Sequence, residues 1–187
     1  MGLLIAGLVL WSLVHLYPSL ASQSRDGLIA RLGNNPYRGL FALLMLTALV
    51  MIVFGWKSAV PSAVYAPPLM GSLVVLALIL IAFILFVAAQ AKTNIKRVLR
   101  HPQLTGLLLW CVAHLLANGD RRSVALFGGL GVWALVEIVL INRRDGAWQK
   151  PAAAPLSSDL IVVIIGAVAF GVVLYLHQWL FGGMSLI

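Results

Sequence analysis

The chain has 187 residues, of which 62% are hydrophobic and only 10% charged, with a mean hydropathy of +1.04. That composition excludes an ordinary soluble domain, and long apolar runs of this kind are membrane spans. The net charge of +8 invites a nucleic-acid reading, but the basic residues are confined to the connections between apolar runs, which excludes it.

Six runs approach the roughly 20 residues that carry a helix across the hydrocarbon core. The first, Gly2–Leu20, has no basic residue before it and no small-residue cleavage site after it, so it reads as a retained helix rather than a signal peptide. MGLLIA also lacks the hydroxyl residue of a myristoylation signal. Residues 21–38 mix charge, Gly, Asn and Pro and read as a loop, with a turn at 33–36. Spans at 39–56 and 68–91 follow, joined by a short proline-containing loop. Residues 92–101 are basic and continue the third span as an amphipathic turn on the membrane surface. Pro102 then opens the fourth and shortest span, 102–118, where its missing N–H costs nothing. Asn118-Gly119 is a pair suited to a left-handed helix cap. A fifth span covers 124–141. After a flexible linker at 148–158, Ser158 and Asp159 are placed to cap the sixth, 160–181.

These spans consume the chain, which is expected to form one membrane domain over residues 1–187. Continuous apolar runs without alternation make helices rather than a barrel, so the fold is an all-α, polytopic helical bundle with about six transmembrane helices. Arg25, Arg31 and Arg38 follow the first span; Lys92, Lys96, Arg97 and Arg100 follow the third; Arg143, Arg144 and Lys150 follow the fifth. Only Lys57, Arg121 and Arg122 fall on the other side. The positive-inside rule then puts both termini outside and the basic loops in the cytoplasm, as expected for a bacterial inner membrane. These residues are topology signals and contacts for anionic headgroups. The single cysteine makes no internal disulfide.

Ionisable residues inside a span are costly and mark function by default. Here they are His15, Cys111, His114, Glu137 and His177. His15 follows Trp11 by four residues on one face; it is either an interfacial histidine bonded to a neighbour or an axial ligand to haem iron. Trp110, Cys111, His114 and Asn118 share a stripe of the fourth span. A helix this apolar does not need a histidine for packing, so His114 reads as a ligand. Buried Cys111 is equally a small hydrophobe, and a lone C-x-x-H is no zinc signature. His177 sits beside Tyr175 and Trp179 as an aromatic-belt residue. Glu137 is expected to snorkel toward Arg143 and Arg144. His101, with Arg100, either meets a phosphate or headgroup or caps the fourth span. No Gly-rich nucleotide loop, zinc-protease helix or nucleophile elbow is present.

The stretch RHPQLTGLLLWCVAHLLANGD resembles the signature region of the NnrU family. NPYRGLFALLMLTALVMIVFGW resembles that family's second span, and FILFVAAQAKTNIKRVLRHP its third span and following loop. The resemblance covers most of the chain and weakens at 148–158. It implies a membrane protein associated with denitrification, and a relationship to the 15-cis-ζ-carotene isomerases, which bind haem b and isomerise a polyene double bond when the iron is reduced. By that resemblance His15 and His114 ligate iron, Cys111 is an exchangeable ligand, and His101 is the histidine of an R-H-P-Q motif. The sequence after His15 departs from the isomerase pattern, which has a small residue and a glycine there. The spans also place His15 and His114 at heights differing by roughly 12 Å for straight helices, and tilt or a bend at Pro18 would have to close that gap. A His114/His177 pair is the geometric rival.

The expected function is therefore a haem b redox protein in the lipid bilayer, with a polyene or other apolar substrate if it is an isomerase and no nucleic-acid partner. Two other classes compete. An S-adenosylmethionine-dependent membrane methyltransferase of the isoprenylcysteine type has a similar R-H-P-x-Y-x-G turn; Arg100, His101, Pro102 and Gly106 fit it, but Leu104 replaces the tyrosine. A non-enzymatic assembly factor would keep its histidines for structure alone.

Overall fold

A computed structural model describes residues 1–68 and 72–181 of the chain. The start of the third span at residues 69–71 lies outside the described residues. The helices are α1 (Gly2–Leu20), α2 (Ser22–Leu32), α3 (Asn34–Ser58), α4 (Ser72–Gln90), α5 (Ile95–Val98), α6 (Pro102–Ala117), α7 (Arg121–Ser123), α8 (Gly129–Asp145) and α9 (Leu156–Phe181), with a π-helical turn at Val124–Gly128 joining α7 to α8. The described residues contain no strand, only an isolated bridge between Ala63 and Asp120. Among the described residues five helical stretches are long and apolar enough to cross a membrane, the stretch Arg121–Asp145 counting as one, and α6 is a shorter apolar helix. At 16 residues α6 is about 24 Å long, a little under the ~30 Å hydrocarbon thickness. The chain is an all-α membrane bundle.

Two compact units form, residues 1–66 with 118–147 and residues 67–117 with 148–187. In the first, α1 lies between α3 and α8. Leu4, Gly7, Leu8 and Trp11 make one stripe of α1, and small residues let the helix backbones meet. A Cβ on Gly7 would come 2.8 Å from the Ile52 nitrogen, and one on Gly55 would come 2.6 Å from Leu4 Cα. These pairs make α1 and α3 antiparallel. Leu8 meets Gly129, Trp11 meets Trp133, and Ser19 Oγ accepts from Arg144 at 3.0 Å, so α1 and α8 run parallel.

In the second unit α4 is central. Gly106 of α6 sits against the Ala82 carbonyl, and Gly166 of α9 sits 2.7 Å, measured from its notional Cβ, from Ile84 Cα. Phe83 meets Phe170, and Gln90 meets Gln103 at 3.5 Å. Both neighbours are therefore antiparallel to α4. The glycine of the methyltransferase-like turn is thus accounted for by helix packing. In each unit the basic connections gather at one end. In the first, Arg25, Arg31, Arg38, Arg143 and Arg144 share the end opposite Lys57 and Arg122, whose guanidinium lies 4.6 Å over the Trp56 ring.

Local structure departs from the sequence reading in three places. Residues 21–38 are not a loop: α2 is helical through Leu32, and only Gly33, at φ 84°, breaks the chain before α3. Pro36 falls in the first turn of α3, where a backbone N–H has no intrahelical partner to lose. Gly119 does not make a left-handed cap, because the positive-φ glycines of the described residues are Gly33 and Gly146. Its carbonyl instead accepts from Val64 (2.8 Å) and Tyr65 (3.1 Å), and the Tyr65 hydroxyl donates to the Asn118 carbonyl.

The third departure is at α9, which begins at Leu156, so Ser158 and Asp159 lie inside it rather than capping it. The Asp159 carboxylate reaches the α4–α6 connection, accepting from Thr93 Oγ1, from Asn94 N at 2.8 Å and from Asn94 Nδ2 at 2.7 Å. Asn94 also exchanges hydrogen bonds with both backbone groups of Ala154. Thr93 is buried, so Asp159→Ala leaves it without its acceptor and frees two ends of the unit from each other. We expect the thermal midpoint to fall by several degrees, read by the reaction of a thiol dye with buried Cys111. An unchanged midpoint in Asp159→Ala would show that the clamp carries no stability.

Candidate functional site

His15 projects from the α1 stripe that faces α3 and α8. Its Nδ1 lies 3.1 Å from the Trp11 carbonyl oxygen. A carbonyl can only accept, so Nδ1 carries a proton, and in the neutral ring Nε2 keeps the lone pair. Three aromatic rings from three helices enclose the imidazole: Trp11 at 4.4 Å between centroids, Trp133 at 4.9 Å and Phe41 at 5.8 Å. Trp11 and Trp133 also meet edge to face at 5.9 Å.

His114, on α6 in the other unit, repeats this arrangement. Its Nδ1 lies 2.8 Å from the Trp110 carbonyl, and the Trp110 and His114 rings are 4.5 Å apart. Interplanar angles are 41° for Trp11–His15 and 49° for Trp110–His114. Two tryptophan–histidine pairs spaced four apart therefore fix the same tautomer in the same way. The spacing was visible in the sequence, but the shared tautomer needed the side-chain positions. Cys111 is buried one turn before His114. His177, on α9, is an electrostatic neighbour of His114 within the second unit, and Tyr175 and Trp179 beside it are exposed as a belt would have them.

The structure thus brings together His114, Cys111 on its own helix, and His177, while His15 belongs to the first unit. Among the described residues no group of three or more His, Cys, Asp or Glu could hold a bare metal ion. Each of His15 and His114 offers Nε2 as the ligating nitrogen of a neutral ring in a helical, apolar setting, which fits a metal held in a macrocycle.

Glu137 corrects the snorkelling expectation. It is 8% exposed, and its Oε2 has no partner. Arg144 is within electrostatic reach but donates to Asp145 (2.8 Å) and Ser19 (3.0 Å). Trp133 and Phe41 were missed by sequence reasoning; the one signal for Trp133 was its four-residue spacing to Glu137. His101 lies just before α6, and its carbonyl accepts from Thr105 N at 2.9 Å.

The family described as NnrU protein matches residues 3–185, running through both units. The chain belongs to the NnrU family. Among curated relatives, this NnrU protein is similar to the chloroplastic 15-cis-zeta-carotene isomerases of Zea mays, 36% identical over 58 residues, and Arabidopsis thaliana, 38% identical over 58 residues. Each match covers 31% of the NnrU chain and 13% of the isomerase, so the chain spans only a small part of the curated relatives' length. No solved structure matches it.

Proposed function

We propose that this NnrU protein is a haem b-binding membrane protein with isomerase-like chemistry. The observation that carries the reading is the twin geometry of His15 and His114. Each ring gives its Nδ1 proton to the carbonyl four residues before it, the hydrogen-bonding habit of metal-ligating histidines. His114 would hold the iron through Nε2. By the resemblance to the isomerases His15 is the favoured second ligand; His177, in the same unit as His114 and its electrostatic neighbour, is the alternative. Cys111, one turn from His114, is the thiol that would exchange for a histidine.

When bound, the haem would supply the redox chemistry that isomerising a polyene double bond would need, if the substrate is a carotenoid. The chain's own residues hold the ring nitrogens in one tautomer, exclude water with tryptophan and aliphatic side chains, and keep an exchangeable thiol close by. The similarity to carotene isomerases and the family's association with denitrification make an apolar polyene, or a role in nitrogen-oxide metabolism, the two settings for that chemistry. The basic ends of the units fit a bacterial inner membrane with both termini outside.

The test is an absorbance spectrum of detergent-purified protein, oxidised and then dithionite-reduced, with pyridine haemochrome quantification. A Soret band and sharp reduced α/β bands at near one haem per chain are expected. A folded but colourless protein after expression with ample haem would refute the reading, and would leave the assembly-factor and methyltransferase classes to be separated by S-adenosylmethionine binding.

A further inference from the structure

Three polar atoms of the first unit surround the α1–α8 contact without a hydrogen-bond partner: Trp11 Nε1, Trp133 Nε1 and Glu137 Oε2. Trp133 and Glu137 are each more than nine-tenths buried, at 7% and 8% exposure. They lie one turn apart on the α8 face that also carries Gly129, packed on Leu8, and Trp133 itself meets Trp11 and His15. Unpaired donors and acceptors are costly inside a bilayer, where no bulk water can serve them. The π-helical turn Val124–Gly128 immediately precedes this face. Such turns recur at functional sites, and the extra residue rotates everything after it by about 100°.

We propose that this face binds the oxygen-bearing ring of a quinone or quinol. The two indole N–H groups are donors for a quinone carbonyl. Glu137 donates to that oxygen as a carboxylic acid and accepts from a quinol hydroxyl as a carboxylate, so one site takes both forms of the ring. A hydrocarbon polyene offers these atoms nothing to bond. A carboxylate ligand would put a second negative charge beside Glu137 whenever that side chain is ionised, which a neutral oxygen does not.

The test uses the full chain in detergent, photolabelled with an azido-ubiquinone and titrated calorimetrically with decylubiquinone and its quinol. Saturable binding is expected, with label on α1 or α8 peptides. Trp133→Phe keeps a ring but removes the N–H, and should weaken quinone binding about tenfold, the equivalent of one hydrogen bond. Glu137→Leu should weaken both forms by at least as much. Glu137→Leu replaces an unpaired buried atom at similar volume and should fold with an unchanged or raised thermal midpoint, while Trp133→Phe should still fold with a modest loss from the ring volume removed. Absence of saturable binding, label confined to other helices, or affinities unchanged in both variants would overturn the proposal and leave water as the partner of these atoms. The site shares Trp11 and Trp133 with the surroundings of His15, so it is separated from the haem reading through the other histidine: quinone binding should survive in His114→Ala. Loss of quinone binding together with haem in that variant would assign the three atoms to the haem pocket instead and would also overturn it.

Discussion

His114→Ala is expected to lower bound haem by at least about tenfold, with loss of the sharp reduced α/β bands. His114 is singled out because two independent readings converge on it. Its helix is too apolar to need a histidine for packing, and its ring is oriented by the Trp110 carbonyl at 2.8 Å with Cys111 one turn away and His177 as a neighbour. Second-ligand identity then follows from parallel variants. If His15 is the partner, His15→Ala should match His114→Ala in haem loss, and His177→Ala should keep its haem with a small spectral shift. The reverse pattern assigns His177. Cys111→Ser should retain haem in the oxidised and reduced protein while losing any spectral form due to thiolate ligation. A spectrum unaffected by His114→Ala would remove the central residue of the proposed site, whatever the other variants did.

Gly55→Leu should be the most destabilising single change in the first unit. The position has no room even for a Cβ: that atom would lie 2.6 Å from Leu4 Cα and 2.9 Å from the Leu3 carbonyl carbon, and backbone cannot swing aside as a side-chain tip can. Separating α1 from α3 would empty the contact around buried Leu4 and Ala48 and shift His15 relative to Phe41. A loss of about 3 kcal/mol or more is expected from overpacking of this kind. The reading is the loss of near-ultraviolet circular dichroism on heating, together with the yield of monodisperse protein. Gly171→Leu is the control, because nothing lies within 4 Å of that Cβ position. Equal behaviour of the two variants would mean that the α1–α3 contact is not close-packed in the membrane.

Much of the architecture was legible because a bilayer leaves few options. A run of apolar residues must be helical to satisfy its own backbone, and Pro102 and the basic connections mark where helices turn back. Residues 21–38 were not legible as helix. Their polar composition is that of a loop, and the helix forms because its N–H and C=O groups pair locally up to Gly33. Asp159 was read as a cap because caps are local, whereas its partners Thr93 and Asn94 are over sixty residues away. Glu137 illustrates the same limit. Two arginines follow it within a helix turn or two, yet α8 turns its carboxylate toward the packed side, where it stays buried.

By itself the sequence determined that this chain is a helical membrane protein, that its basic residues gather at helix ends, and which few ionisable groups sit within the spans. Those properties come from residue type and short-range periodicity, and the bilayer enforces them on any chain of this composition. Only the tertiary structure decided that His15 and His114 hold the same proton in the same way, that Trp11, Phe41 and Trp133 close around one imidazole, and that Trp133 and Glu137 are buried with atoms unpaired. Each depends on side-chain directions, and most of them on which helix faces which. Contacts such as Gly55 on Leu4 and Gly129 on Leu8 fix that facing between residues far apart in the chain.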